Sequence, residues 1–112
     1  MTLDEESQKR NRKRVLVVAK DTLDGIVGII EGSRMLFDLR HTVTEDSFDP
    51  DFNIFVLVAS ETDHLPIGEV RKYWAPDSLA QKDIEIKETE EFYRNDVKAG
   101  CRKLIQRFSG TA

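Results

Sequence analysis

The chain has 112 residues, a formal charge of −4 and one cysteine, which together exclude several classes of protein. The acidic balance argues against a general nucleic-acid coat, and one cysteine excludes an intramolecular disulfide framework. A chain of this length buries roughly two thirds of its extended surface, enough for one hydrophobic core. We therefore predict a single domain over residues 1–112, in which residues 1–8 could be disordered and residues 109–112 frayed.

Apolar segments of the chain are too short to cross a membrane. The longest uncharged apolar runs are Val15–Ala19 and Ile54–Ala59, whereas a membrane helix needs about 20 residues. No segment has the pattern of an export signal. We expect a cytoplasmic protein with no membrane partner.

Residues 4–40 have the periodicity of one long helix. At about 100° per residue, one stripe of the helix carries most of its apolar side chains: Val15, Val18, Ala19, Thr22, Ile26, Ile29, Ile30, Ser33, Leu36 and Phe37. A break near Gly25 is compatible with this pattern, because glycine weakens a helix. Gly28 and Gly32 are four residues apart and would allow a close helix contact, either within the chain or with a second subunit.

The middle of the chain begins with a polar connection over residues 41–49. Residues 54–58 are β-branched and aromatic enough for a short strand. However, Asp49-Pro50-Asp51 is a strong helix start, with a capping Asp, a Pro at the first position and an acid in the first turn. We predict a helix over residues 52–59, ended by Pro66 and Gly68, and then a short turn or one helical turn over residues 69–74.

A last helix is predicted from Pro76 to about Phe108. Its apolar seam is interrupted by Asp83 and Glu90, so its second half should be the anchored part. The fold class we predict is all-α: an elongated up-down bundle of three to four helices with long first and last helices. Self-association would complete the core of so thin a bundle.

A polar cluster follows the predicted middle helix and is the candidate site. It contains Glu61, Asp63, His64 and Arg71, which could bind a small ligand or support acid/base chemistry. A metal needs at least three protein ligands as a rule, and these residues do not share one helix face. We favour an ordinary helix end with self-satisfied hydrogen bonds, and predict no metal, no cofactor and no catalytic residue.

The same stretch resembles a family of small bacterial proteins described only as a domain of unknown function. The resemblance lies in SETDHLPIGEVRKYW (residues 60–74), preceded by GIIEGSR and followed by CRKLIQRF. It covers residues 20 to 108 approximately. It implies no activity and assigns no functional residue.

Two further groups of residues are candidate interaction surfaces. Asp46, Asp49 and Asp51 belong to the acidic middle of the chain, and Tyr73 and Trp74 follow two bases, a composition common in binding hot spots. An aromatic plug between helices is an equally good interpretation of Tyr73 and Trp74. The basic run over residues 9–14 is scattered around its helix, so we expect no nucleic-acid binding.

These features favour a non-catalytic protein-interaction or regulatory module over an enzyme. One version is an immunity- or antidote-like protein whose acidic stretch covers a basic partner. The expected partner is another protein or a second copy of the chain. The alternative is a small-ligand or metal-binding protein, with hydrolysis as one version, whose polar site lies around residues 61–71.

Overall fold

The computed structural model describes residues 4–111, which form four α-helices. They are α1 (Glu5–Leu23), α2 (Ile29–Leu39), α3 (Asn53–Glu61) and α4 (Pro76–Phe108). Three 3₁₀ segments lie between them: Arg40–Thr42, Pro50–Phe52 and Gly68–Tyr73. Residues 4–111 contain no β-strand, so the predicted all-α class with long first and last helices is confirmed. With the 3₁₀ segments included, the helical segments outnumber the three to four predicted.

The single long helix predicted over residues 4–40 is wrong, because the chain breaks after Leu23. Gly25 has a φ of 80°, a left-handed conformation that only glycine adopts readily. Its N–H donates to the Thr22 carbonyl at 3.3 Å, and the Ile26 N–H donates to the Asp21 carbonyl at 2.9 Å. This pair of bonds is the Schellman pattern that ends helices. Ile26, placed by periodicity on the apolar stripe, is consequently exposed.

After the break, α2 packs closely against α1. A Cβ atom added at Gly32 would lie 2.1 Å from the Thr22 Oγ1, so only glycine allows this approach. The Thr22 hydroxyl is buried and donates to the Val18 carbonyl at 2.7 Å. The close contact at Gly32 is therefore between α1 and α2 of one chain. The Thr22 hydroxyl at this contact has its hydrogen-bond partner within α1.

The middle segment is a helix rather than a strand. The Asp49 side chain accepts a hydrogen bond from the Asp51 N–H at 3.1 Å, and Pro50 opens the 3₁₀ turn that leads into α3. At the other end of α3, Arg34 donates to the carbonyls of Thr62 and Leu65. An arginine from α2 thus ties α2 to the turn that follows α3, where the Thr62 carbonyl also accepts the Leu65 N–H at 2.9 Å.

The core lies where α1, α2 and α3 meet the C-terminal half of α4. Its fully buried side chains include Val15, Ile30, Phe55 and Leu104. Gly100 brings α4 against α3, because a Cβ atom there would lie 2.7 Å from the Ile54 Cγ2. The 33 residues of α4 set the length of the molecule, whose principal extents are 47 × 27 × 24 Å.

Both ends of the described chain have regular backbone hydrogen bonding. α1 begins at Glu5, so residues 5–8, which the sequence left open to disorder, are helical. After α4, the Thr111 N–H donates to the Phe108 carbonyl at 3.1 Å in a closing turn. The parts of the predicted flexible ends at residues 1–3 and 112 lie outside the described residues.

Candidate functional site

His64 and Arg71 of the predicted polar cluster both contact carboxylates of α4. His64 contacts Glu85 through its Nε2 atom. The Arg71 guanidinium makes a bidentate contact with Asp83, donating to Oδ1 at 2.8 Å and to Oδ2 at 3.0 Å. It also donates to the Pro66 carbonyl at 3.1 Å. These contacts tie the segment after α3 to the N-terminal half of α4.

The pairs also change the acidities of the α4 carboxyls. The hydrogen bond with Arg71 lowers the pKa of Asp83, and the hydrogen bond with His64 lowers the pKa of Glu85. Both carboxyls are solvent-exposed to a large extent, so water and salt screen these pairs. A general acid needs a raised pKa, whereas the pKa of Asp83 is lowered. Asp83 is therefore better suited to holding Arg71 in place than to donating a proton.

The two acidic members of the cluster lie apart from each other. Glu61 lines a cavity of about 290 Å³ together with Phe92 and Tyr93, whereas Asp63 lines another of about 440 Å³ with Phe37. Over residues 4–111, no group of three or more His, Cys, Asp or Glu side chains is placed to hold a metal ion. The four predicted residues are therefore neighbours in sequence but do not surround one common space.

Of the three acidic residues predicted to form an interaction surface, Asp49 and Asp51 pair with Arg107 and Asp46 does not. This arginine on α4 pairs with Asp49 at 2.8 Å and with Asp51 at 3.0 Å, while Asp46 is exposed and accepts a hydrogen bond from the Phe48 N–H at 2.9 Å. Asp49 is buried. Burial alone would raise the pKa of Asp49, but the hydrogen bonds from Arg107 and from the Asp51 N–H hold that pKa below its usual value.

The aromatic pair after α3 is only partly covered. Tyr73 is 79% exposed and Trp74 is 36% exposed. Trp74 follows the 3₁₀ segment, and its backbone N–H donates to the Arg71 carbonyl at 3.1 Å. The ammonium group of Lys72 lies 5.3 Å from the centre of the Tyr73 ring. Tyr73 is therefore available at the surface and does not fill a gap between helices.

An apolar groove between α1 and α2 was not among the predicted sites. It encloses about 510 Å³, and its floor and walls include Val17, Val18, Met35 and Leu39. Val17 is 57% exposed there. The sequence did carry a signal, because Met35 and Leu39 fall outside the main apolar stripe of their helix.

Charged residues line one edge of this groove. Lys13 and Arg14 from α1 stand beside it, and Asp38 from α2 is the one acid among its lining residues. Lys9 and Arg10 continue the exposed basic edge one turn earlier along α1. The groove thus combines an apolar floor with a largely basic rim.

Glu90 is a second residue whose role was missed. Its carboxylate accepts a hydrogen bond from the Ile30 N–H at 3.1 Å, in the first turn of α2, where helices leave N–H groups without partners. Gly28 leaves room for it, since a Cβ atom there would lie 3.2 Å from the Glu90 Oε2. The interruption of the α4 seam at Glu90 was the visible signal.

Cys101, the cysteine of the chain, lies in the core on the buried side of α4. It is fully buried, and burial raises the pKa of its thiol to about 11. A neutral buried thiol is a poor nucleophile and a poor metal ligand.

No family model, no curated protein and no solved structure matches this chain. The similarity to a bacterial domain of unknown function therefore stays a resemblance. Within residues 4–111, no helix has the length and apolarity to cross a membrane.

Proposed function

We propose that this protein is a non-catalytic protein-interaction module that binds its partner through the groove between α1 and α2. The observation that carries the proposal is the apolar groove of about 510 Å³ with Val17 and Met35 exposed in it. Contiguous exposed apolar surface with a polar rim is typical of interaction sites. The rim of Lys13 and Arg14 would add orientation and a faster encounter with an acidic partner.

The pairing of the polar cluster supports binding over catalysis. Arg71 and His64 are engaged with carboxylates of α4, and these contacts hold the segment after α3 in place. A narrower, antidote-like role would use the acidic stretch to cover a basic partner. That version has less support, because Asp49 and Asp51 are paired with Arg107.

Photo-crosslinking in cells of the source organism tests the proposal. A photoreactive amino acid is placed at Val17, in the groove, and at Lys103, on the exposed side of α4, as the matched control. We expect a defined adduct from position 17, identified by mass spectrometry, and none from position 103. Equal adducts from both positions, or none from position 17, would contradict the proposal.

A small-ligand site near Glu61 is the second candidate, supported by the cavity of about 290 Å³ beside Phe92 and Tyr93. On this alternative the chain would be a ligand- or metal-binding protein, with hydrolysis as one version. Elemental analysis of the purified chain and ligand screening of wild type against Glu61→Gln test it. The alternative fails if no stoichiometric metal is found and no ligand distinguishes the two proteins.

A further inference from the structure

We infer that the partner that fits the α1–α2 groove is a second copy of this chain, which inserts the outer face of the N-terminal half of its α4. This inference rests on the proposed function and names the partner of the same groove. It starts from two surfaces on one molecule whose apolar and charged parts are complementary.

The outer face of α4 is an exposed, amphipathic surface. Ile84 is 63% exposed and Phe92 is 76% exposed, although both lie in a regular helix. Ile84 and Phe92 are eight residues apart, which places them about 80° from each other around the helix axis. The two side chains therefore share one broad face. The core-facing positions of this half, Ile86 and Tyr93, lie on the opposite side and pack against the core.

Acidic side chains border these two apolar residues. Glu88 and Glu91 are exposed between Ile84 and Phe92, and Asp77 is exposed about two turns before Ile84. The half-helix as a whole carries an excess of acids over bases. It therefore presents apolar groups flanked by negative charge.

The α1–α2 groove presents the complementary arrangement. Val17 and Met35 provide its exposed apolar surface, and Lys13 and Arg14 provide its rim. Docking the α4 face would cover apolar surface on both copies and bring Glu88 and Glu91 towards the basic rim. Helix-in-groove recognition uses apolar anchors at one- to two-turn spacing in this way.

The two surfaces differ, so the contact is heterologous. Each copy offers one groove and one helix face. A pair closes if both contacts form at once, and otherwise further copies can add. Either assembly has a mass above that of the 12.9 kDa chain, and both depend on the same contact.

Sedimentation velocity of the full chain over a range of concentrations tests the inference. We expect a mass above 12.9 kDa that grows with concentration and falls as salt is added, because the rim contacts are screened. The double variants Lys13→Glu/Arg14→Glu and Glu88→Lys/Glu91→Lys should each weaken association about tenfold or more. Lys103→Glu, a charge reversal at an exposed position of the C-terminal half of α4, should leave it unchanged.

A mixture of the two double variants tests whether the groove of one copy contacts α4 of the other. The reversed groove of one then faces the reversed helix of the other, and we expect association to return in the mixture while each variant alone stays dissociated. Circular dichroism of each variant checks that the helices are intact. A 12.9 kDa monomer at every concentration, or association that neither reversal affects, would overturn the inference.

These outcomes separate this inference from the proposed function. If the purified chain is monomeric but position 17 crosslinks to a different protein in cells, self-association fails and the groove remains an interaction site. If position 17 gives no adduct at all, the proposed function fails with it.

Discussion

The two halves of α4 differ in how they are held, and the difference separates stability from binding. The C-terminal half buries Val97, Cys101, Leu104 and Phe108 in the core. The N-terminal half buries no side chain fully: Ile86 and Tyr93 are only partly buried against the core. Other segments make polar contacts to its Asp83, Glu85 and Glu90, and its Ile84 and Phe92 are exposed. One continuous helix thus anchors the fold at one end and presents a surface at the other.

This division has an energetic reason. Burial of a large aliphatic side chain stabilises a fold by about 1.5–3 kcal/mol, whereas exposed ion pairs are screened and contribute little. A half-helix with no fully buried side chain can open locally without unfolding the core. It can also adjust to a partner at low cost.

Matched leucine truncations should show the largest difference between the halves. Leu104→Ala removes a fully buried side chain and should cost about 2–5 kcal/mol of unfolding free energy. Leu79→Ala, at a half-buried position of the N-terminal half, should cost much less. Urea unfolding followed by circular dichroism measures both, and equal losses would show that the two halves of α4 are anchored equally.

The close contact at Gly100 should give the next largest effect. A Cβ atom there would lie 2.7 Å from the Ile54 Cγ2 and 3.0 Å from the Phe55 Cζ. Gly100→Ala should therefore destabilise by about 1–3 kcal/mol through overpacking, against a helix-propensity gain of about 1 kcal/mol at most. Gly110→Ala, with nothing within 4 Å of the new atom, is the control in the same thermal unfolding experiment. A more stable Gly100→Ala protein would show that the contact is loose.

The Asp49–Arg107 pair should give a smaller, pH-dependent effect in the anchored region. Because the folded pKa of Asp49 is lowered, its contribution is present above the usual carboxyl pKa and is lost as the pH falls through the folded value. Asp49→Ala should cost about 1–2 kcal/mol at neutral pH, as for a lost helix cap, and the cost should shrink in acid. Asp96→Ala, at an exposed position of α4, serves as control. A cost that does not change down to strongly acidic pH would contradict the assigned role of the charge.

The smallest effect on global stability is expected from Arg71→Gln, because the Arg71–Asp83 pair is exposed. Its effect should be local: amide hydrogen exchange should become faster over residues 76–86 and stay unchanged over residues 97–108. Added salt should produce the same change in the wild type. Faster exchange in both halves would mean that α4 opens as one unit and would remove the distinction.

The sequence predicted the helical class, the strong start at Asp49 and the anchored second half of α4, because each depends on local signals. It allowed a break near Gly25 but favoured one long helix, since the apolar stripe continues in phase across the break. The positive φ of Gly25 depends on hydrogen bonds that close the helix end. Long-range partners were also out of reach. The contact between Glu90 and the Ile30 N–H spans 60 residues.

The candidate site shows the same limit. The cluster from Glu61 to Arg71 was visible as a polar string, but its partners Asp83 and Glu85 come from α4. Only the packing of the chain reveals that His64 and Arg71 are engaged there. The groove containing Val17 and Met35 forms only because the turn after Leu23 folds α2 back against α1. One continuous helix over residues 4–40 would not form such a groove.

Crosslinking of engineered cysteines tests most directly whether the outer face of α4 is a binding surface for the groove. Met35→Cys and Phe92→Cys chains are mixed and treated with a short bismaleimide, while Cys101 stays in place because its buried thiol, with a pKa of about 11, reacts poorly. We expect a crosslinked pair that contains one chain of each variant, and little product when Lys103→Cys replaces Phe92→Cys. No mixed product, or an equal yield with Lys103→Cys, would contradict the account.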